Sequence, residues 1–366
     1  MRRCIAIVGI LCLAIALQAE TPNAPGADGK GPPAPAPNGI ASSIAPPWAE
    51  DSVRKDSCPT GPNGPSAASF VVLGTGAYEN EPEADLWVKN PTGPTVGFFR
   101  VYRTALAVQG RGSPGFSTGW AHGFDTVAVG PSEPTWGKIT IFHYNGAKEE
   151  LTPELKDGVP TGSLKAAPGT PSVIKGQPGK IPGRWDWIGI TVSDGITWVL
   201  CPTQSNPNIY RYMQVKGNVG GPVRIYYDVA NRLDRIVSDR DLLLLKLTYD
   251  SVGYLSTATS YDAKGAPSGQ IKYAFGPAAG ATCLLGVSLI NQPTSAACMY
   301  GYTAVNGRPF LSSVSVPNPS GKGGASTHRI NYDTLGRVSS MVDANGNQRT
   351  YTYQNGQSKP NSPPPQ

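Results

Sequence analysis

The sequence has few charged side chains and few potential metal ligands. Asp, Glu, Lys and Arg make up 15% of its 366 residues, and there are only 3 His and 6 Cys. A coiled coil is excluded, because it would be rich in Glu, Lys and Arg, and no C-x-x-C pair indicates a zinc site. Beyond residue 19, no apolar run approaches the roughly 18 residues of a membrane-spanning helix. We therefore expect no metal, no other cofactor and no stable membrane insertion.

Glycine and proline are in excess, with 44 Gly and 36 Pro. Collagen is excluded because Gly does not recur at every third position, and 7 Trp, 16 Tyr and 8 Phe argue against full disorder. Short period-2 runs separated by turn residues predict an all-β protein. The formal net charge of +6 is mild and forms no basic stripe, so nucleic acid is not an expected partner.

The first nineteen residues have the pattern of a secretory signal peptide. Arg2 and Arg3 precede an apolar run from Ile5 to Leu17, and the small residue Ala19 marks a cleavage position. A buried N-terminal helix is the alternative interpretation. The pattern predicts a protein that is secreted, either outside the cell or on its surface, with the periplasm as a further alternative.

The remaining chain divides into four segments by composition. Residues 20–67 contain 11 Pro and 6 Gly and are predicted to be a disordered linker. Residues 68–205 and 206–353 carry the β pattern and are interpreted as an N-terminal β-domain and a repeat region. Residues 354–366 resemble the linker and are predicted to be a disordered tail.

Four cysteines follow the predicted signal peptide, and an even number in an exported chain favours two disulfides. We expect Cys283 to pair with Cys298 across a short apolar loop, and Cys58 to pair with Cys201. Four free thiols remain the alternative.

A repeat of tyrosine, aspartate and glycine marks the C-terminal half. Asp at the first position of a turn accepts backbone N–H groups, and Gly or Asn at the fourth tolerates the left-handed conformation. Tyr227 precedes Tyr249 by 22 residues, a period that predicts one β-hairpin per unit and a stack of antiparallel hairpins. The residues of the repeat are Tyr227, Asp228 and Asn231; Tyr249, Asp250 and Gly253; Tyr261, Asp262 and Gly265; Tyr332, Asp333, Gly336 and Arg337; and Asp343 with Gly346.

The stretch from Tyr332 to Val338, Tyr-Asp-Thr-Leu-Gly-Arg-Val, resembles the YD repeat of the RHS (rearrangement hot spot) family. The stretch from Tyr227 to Leu233 matches the same pattern with Asn for Gly. Gly119 to Asp125, together with the aromatic-Arg-x-Tyr strand from Phe99 to Arg103, resembles the domain that precedes such repeats. The resemblance implies an exported bacterial protein with a spiral of β-hairpins, which in long members forms a shell around a C-terminal toxin.

With only three or four units, a shell of this kind is too short to enclose a cargo. The resemblance therefore implies a non-enzymatic structural or interaction protein. Its expected partners are a cell-surface glycan or another RHS-type protein. A carbohydrate-binding cell-surface module is the first alternative.

A serine hydrolase is the second alternative. Gly115 to Gly119 fits G-x-S-x-G with Ser117 as nucleophile, His122 as base and Asp125 as the orienting acid. His143 and His328 are other candidate bases. The glycine-rich surroundings favour a turn before a strand, in which these side chains are structural. In the same way, the Tyr-Asp pairs are interpreted as turns and sheet contacts rather than sugar sites.

Overall fold

The computed structural model describes residues 55–57, 68–72, 77–81, 84–144, 148–166, 173–192, 195–290, 297–317 and 325–353. The predicted signal peptide and the predicted tail lie outside these residues, as does most of the predicted linker. Lys55–Ser57, within that linker, forms a strand that pairs with Ala68–Val72.

The first part of the described chain forms a five-stranded antiparallel sheet, in the order β1-β2-β3-β6-β7, and a separate hairpin of β4 and β5. A single helical turn, α1, connects β6 to the glycine-rich stretch before β7. We call residues 84–125 the inner segment. The elements are β1 (Lys55–Ser57), β2 (Ala68–Val72), β3 (Ala77–Glu81), β4 (Leu86–Val88), β5 (Val96–Phe98), β6 (Arg100–Arg103), α1 (Thr104–Val108) and β7 (Trp120–His122).

Eight further strands close into a ring. Each strand from β8 to β15 pairs antiparallel with its neighbour in sequence, and β15 returns to pair with β8. The strands are β8 (Val127–Val129), β9 (Ile139–Phe142), β10 (Lys148–Lys156), β11 (Val159–Lys165), β12 (Val173–Pro178), β13 (Trp185–Thr191), β14 (Thr197–Pro202) and β15 (Ile209–Lys216).

The C-terminal half continues as one antiparallel sheet in sequence order, β16 to β26. Aliphatic and aromatic side chains alternate with polar ones in most of these strands, as expected for a sheet with one buried face. The strands are β16 (Val223–Tyr227), β17 (Leu233–Val237), β18 (Leu243–Tyr249), β19 (Leu255–Tyr261), β20 (Pro267–Ala278), β21 (Ala281–Leu289), β22 (Cys298–Val305), β23 (Arg308–Val316), β24 (Ser326–Tyr332), β25 (Val338–Val342) and β26 (Gln348–Thr350).

Strand β15 joins the ring to this sheet. Along one edge, its residues Ile209–Arg211 pair with β8, and Gln214 and Val215 further along pair with β16. The predicted boundary at 205–206 falls in the loop just before this shared strand.

The inner segment packs against the buried face of the C-terminal sheet. Trp120 is fully buried, and its ring centroid lies 5.4 Å from that of Tyr102 and 4.8 Å from that of Tyr300 in β22. Aromatic pairs at such separations add to the gain from burial. The all-β antiparallel class predicted from the sequence is confirmed, and Leu243, Leu244 and Leu245 begin strand β18.

Candidate functional site

Six turns in the described part of the C-terminal sheet share one backbone geometry. In each, the first N–H donates to the fifth carbonyl, and the fourth N–H donates to the first carbonyl. The fourth residue has a positive φ, which Gly adopts without strain. This is a type I turn followed by a bulge residue. The turns begin at Asp228, Ser238, Asp250, Asp262, Asp333 and Asp343.

A side-chain oxygen of the first residue caps each turn. In Asp333, Oδ1 accepts the N–H groups of Leu335 and Arg337, both at 2.9 Å, and the hydroxyl of Ser238 has the same role. Partial burial opposes ionisation of Asp333. The hydrogen bonds and the charge of Arg337 outweigh it, so the pKa of this carboxyl lies below its ordinary value.

In two of the four Tyr-Asp turns, those at Asp228 and Asp333, an arginine at the fifth turn position connects the turn to the next hairpin. The Nη2 of Arg232 lies 2.7 Å from Oδ2 of Asp228, and its guanidinium carbon lies 4.1 Å from the ring centroid of Tyr249. The planar guanidinium therefore forms an ion pair and stacks at the same time. The second copy of this arrangement consists of Asp333, Arg337 and Tyr353, with distances of 2.7 and 4.4 Å.

Four tyrosine hydroxyls donate to backbone carbonyls one hairpin earlier in the sheet. Each acceptor is a Leu or Val that starts, or lies near the start of, a strand after a turn. Burial raises the pKa of these phenols, that of Tyr353 to about 12, so they stay protonated donors. The pairs are Tyr249 with Leu233, Tyr302 with Leu284, Tyr332 with Leu311 and Tyr353 with Val338, at 2.6, 2.6, 2.7 and 2.6 Å.

The inner segment supplies acceptors for N–H groups at equivalent positions. Three odd-numbered strands of the sheet, β19, β21 and β23, are held in this way, one by a carbonyl and two by hydroxyls. The inner segment is thereby bonded to the sheet as well as packed against it. The pairs are Leu255 N–H with the Gly115 carbonyl, Leu284 N–H with the Ser117 hydroxyl and Leu311 N–H with the Tyr102 hydroxyl, at 2.8, 2.9 and 3.0 Å.

No side-chain hydrogen bond joins Ser117, His122 and Asp125 to one another in the described part of the chain. Ser117 follows a turn and precedes β7, whereas a nucleophile elbow needs a strand before the serine and a helix after it. His122 Nδ1 accepts the N–H of Phe124 at 3.2 Å, and Asp125 accepts the hydroxyl of Ser113 at 2.5 Å. Burial lowers the pKa of His122 to about 4, against the opposing effect of Asp125.

The other two candidate bases lie elsewhere. His143 Nε2 is 3.4 Å from Oε2 of Glu149 beside the ring strands β9 and β10. His328 is in β24, where partial burial lowers its pKa. Neither is brought to Ser117 by a hydrogen bond in the described part of the chain.

The most buried charge of the inner segment belongs to Arg100. It forms an ion pair with Asp85, donates to the Tyr300 hydroxyl, and lies 5.9 Å from the ring centroid of Trp120. Tyr273 donates to the same Asp85 at 2.8 Å. Because the charge is paired and hydrogen-bonded, its burial is tolerated, and the network connects the inner segment to β20 and β22.

The expected disulfide between Cys283 and Cys298 is wrong. Both are free thiols, and burial raises the pKa of Cys283 to about 11. Cys298 in β22 lies opposite Val287 in β21. Cys283 lies four residues before Val287 in β21, which is about 13 Å along the strand. A disulfide needs Cα atoms within about 7 Å. Of the second expected pair, Cys201 lies in β14 and Cys58 is outside the described residues.

A polar groove of about 700 Å³ crosses β22, β23 and β24. Arg329 and Asn331 are exposed while Ile330 between them is buried, so both face away from the core. Arg329 forms no ion pair with any described residue. The other polar side chains that line the groove include Thr303, Ser312 and Ser313.

No group of three or more His, Cys, Asp or Glu side chains in the described ranges is placed to hold a metal ion. Within those same ranges, no helix has the length and apolar character needed to cross a membrane.

Several residues of this arrangement have no signal in the Tyr-Asp pattern. The turn at Ser238 uses a hydroxyl and has Asp241 at its positive-φ position, with φ of 62°. It follows Asp228 by the same ten residues that separate Asp333 from Asp343, and this spacing is the signal that identifies it. Tyr302 is one of the four tyrosines whose hydroxyls donate to a backbone carbonyl one hairpin earlier, a set we call the tyrosine relay, although no Asp follows it.

No protein-family model and no curated protein matches the chain. Among solved structures, the crystal structure of TcdB2-TccC3-TEV is similar at 11% identity over 82% of this chain and 17% of that one, with a TM-score of 0.33. A structure of the Photorhabdus luminescens Tc holotoxin pore is similar at 12% identity over 76% of this chain and 16% of that one, with a TM-score of 0.32. The chain thus spans about a sixth of the length of these chains.

Proposed function

We propose that the chain is a short, exported, non-enzymatic structural or interaction module of the RHS/YD-repeat type. The observation that carries this proposal is the contact set of Asp228, Arg232 and Tyr249, which recurs at the end of the described chain in Asp333, Arg337 and Tyr353. Both units have the same ion pair, the same stacking of arginine on tyrosine, and the same hydrogen bond from the tyrosine hydroxyl to a backbone carbonyl. This recurrence indicates a repeat unit that stacks one hairpin on the next.

The surroundings of Ser117 support a non-enzymatic role. Its side chain is only 3% exposed, and its hydroxyl already accepts the N–H of Leu284. His122 is held by the backbone of Phe124 and packs against Phe116 and Phe98, with ring centroids 5.9 and 6.0 Å away. A general base needs hydrogen-bond reach to its nucleophile, and the hydrogen bonds of these two side chains go to other partners.

The proposed role is tested by co-expression with the products of the reading frames next to its gene. We expect a stoichiometric complex with a product that carries further Tyr-Asp-x-x-Gly-Arg units. A chain that forms no complex with any of them contradicts the interaction role. Ester hydrolysis that disappears in Ser117→Ala contradicts the non-enzymatic role.

A carbohydrate-binding module is the second candidate, favoured by the polar groove across β22 to β24. Its hydroxyl, amide and guanidinium groups are the groups that bind sugar hydroxyls and carboxylates. A glycan array tests this candidate, with Arg329→Ala as the groove variant and Arg240→Ala, an exposed turn arginine far along the sheet, as its control. Binding lost only in the groove variant supports it, whereas no binding by the parent protein removes it.

A further inference from the structure

The two ends of the C-terminal sheet differ in chemistry. Because its strands run antiparallel in sequence order, turns after even-numbered strands from β16 to β24 lie at one end, the upper rim. Turns after odd-numbered strands lie at the other end, the lower rim. The described turns of the upper rim are 228–232, 250–254, 279–280, 306–307 and 333–337, and those of the lower rim are 238–242, 262–266 and 343–347.

Aliphatic side chains stand at the tips of the upper-rim turns. Val229 is fully exposed, and Val252 and Leu335 are 79% and 67% exposed. The lower-rim turns carry Asp239, Arg240, Lys264 and Asn345 at the corresponding tip positions. Turn tips are normally polar. The aliphatic tips of the described lower-rim turns are no larger than alanine, at Ala263 and Ala344, whereas three upper-rim turns expose a valine or a leucine. An exposed valine near the lower rim, Val219, lies in the connection from β15 to β16 and not in a turn of the repeat.

The end of α1 adds to the upper rim. Val108 is 47% exposed and lies beside Gly336, since a Cβ built on that glycine meets Val108 Cγ2 at 3.9 Å. Arg308 lies near Gly110 by the same measure, at 4.0 Å. Arg111 follows in the same exposed stretch. A further aliphatic side chain, Val108, therefore lies beside the Leu335 turn. Of the two cations, Arg308 begins β23 just after the neighbouring upper-rim turn at 306–307, and Arg111 follows Gly110 in the chain.

The acidic side chains of the upper rim are mostly engaged. Asp228 and Asp333 form ion pairs with Arg232 and Arg337. Asp250 is the exception: its carboxylate accepts only backbone N–H groups of its own turn. Arg111 and Arg308 form no ion pair among the described residues. Nor does Arg211, which donates to the carbonyl of Asn231 in the first upper-rim turn at 2.9 Å, so the unpaired charge of this rim is three cations against one anion.

We propose that the upper rim contacts an anionic lipid surface. Neighbouring strands are about 4.8 Å apart, which places Val229 and Val252 about 10 Å from each other and Leu335 about 29 Å further along the sheet. Tips so far apart do not form one contiguous apolar patch for a protein partner. A lipid interface accepts separate aliphatic tips, and arginines beside them bind the phosphate groups of anionic headgroups.

Such contact is peripheral and reversible. Only single side chains enter the interface, and the strands that carry them remain paired in the sheet. This inference is independent of the RHS-type role, because it rests on the chemistry of the turn tips and not on the repeat itself.

Co-sedimentation of the full chain with vesicles tests the proposal. The probes are vesicles of phosphatidylcholine alone and of phosphatidylcholine mixed with phosphatidylglycerol. The test variant combines Val229→Ser, Val252→Ser and Leu335→Ser. The matched control is Val219→Ser, because Val219 is 83% exposed in the connection from β15 to β16 at the lower rim. All variants share residues 1–83, so any difference between them comes from the rims.

We expect the wild type to prefer the vesicles with phosphatidylglycerol and the triple variant to lose roughly tenfold or more of its partition coefficient. Val219→Ser should keep the wild-type value. Arg111→Gln with Arg308→Gln should remove the preference for phosphatidylglycerol. Equal partitioning of the triple variant and the wild type, an equal loss in Val219→Ser, or no preference of the wild type for phosphatidylglycerol overturns the proposal.

Discussion

The N–H of Leu284 donates to the hydroxyl of Ser117 at 2.9 Å, across the boundary between the C-terminal sheet and the inner segment. The carbonyl of the same leucine accepts the Tyr302 hydroxyl at 2.6 Å. Leu284 lies next to a register shift in the pairing of β20 with β21, where the regular ladder leaves backbone groups without a strand partner. Ser117 of the inner segment accepts the Leu284 N–H, and Tyr302 of the neighbouring strand donates to the Leu284 carbonyl. The inner segment therefore takes part in the hydrogen bonding of the sheet.

The tyrosine relay predicts that removal of one hydroxyl destabilises the sheet. Tyr332→Phe leaves the Leu311 carbonyl buried without its donor, which costs about 1–3 kcal/mol of the free energy of unfolding. Urea denaturation measures this loss. Tyr254→Phe is the matched control, because Tyr254 stacks on Phe275 with its ring and its hydroxyl has no partner among the described residues. Equal losses in the two variants contradict the relay.

The arginine contact predicts that Arg232 is not replaceable by lysine. Arg232→Ala should lower the free energy of unfolding by about 1–3 kcal/mol, because it removes both the partner of Asp228 and the cation over Tyr249. Arg232→Lys should recover only part of the loss, since an ammonium group does not stack and pair at once. Arg240→Ala, at an exposed turn tip, should change stability by less than about 0.5 kcal/mol. Full recovery by lysine argues against stacking.

Alanine substitutions at two glycines distinguish the stability cost of backbone strain from the cost of side-chain crowding. Gly336 has φ of 79°, and a Cβ added there meets the ring of Phe310 at 2.9 Å; Gly346 has φ of 87° and open space. Gly346→Ala should cost about 1–2 kcal/mol from the left-handed conformation alone. Gly336→Ala should cost more, because the ring must also move. Thermal unfolding of the two variants compares them, and a larger loss at Gly346 contradicts this geometry.

The turns could be read from the sequence because their chemistry is local. An Asp that caps its own turn and a Gly with positive φ lie within four residues of each other, as at Asp333 and Gly336. Asn-Gly is a pair that favours two-residue hairpin loops, yet Asn345–Gly346 does not form one. Only Gly346 has a positive φ, and the pair ends the longer turn that begins at Asp343.

Long-range pairing could not be derived in the same way. The return of β15 to β8, which closes the ring, joins residues 209–211 to 127–129. Nothing in either stretch distinguishes this partner from other apolar strands. The Cys283–Cys298 expectation failed for a related reason: loop length suggested proximity, but the register of β21 and β22 places Val287, not Cys283, opposite Cys298.

His122 predicts a pH dependence of stability. Burial lowers its pKa to about 4 in the folded protein, below the ordinary value of 6.5, so the unfolded chain binds the proton more readily between these values. Stability should therefore fall as the pH decreases from 7 to 4, by about 3 kcal/mol from this group. Urea unfolding at a series of pH values measures the slope.

His122→Asn should flatten that slope, because the amide oxygen can still accept the N–H of Phe124 without titrating. His328→Asn separates the contribution of the other imidazole with a lowered pKa. A slope that His122→Asn leaves unchanged contradicts the assignment.

The free energy of unfolding of Ser117→Ala tests most directly whether Ser117 is a structural anchor in a non-enzymatic hairpin stack. An anchor predicts a loss of about 1–3 kcal/mol, because the Leu284 N–H is left buried without an acceptor. The control is Ser251→Ala, an exposed turn serine, which should show little change. Catalytic residues are often held at a cost to stability. Unchanged or increased stability of Ser117→Ala would contradict the structural role.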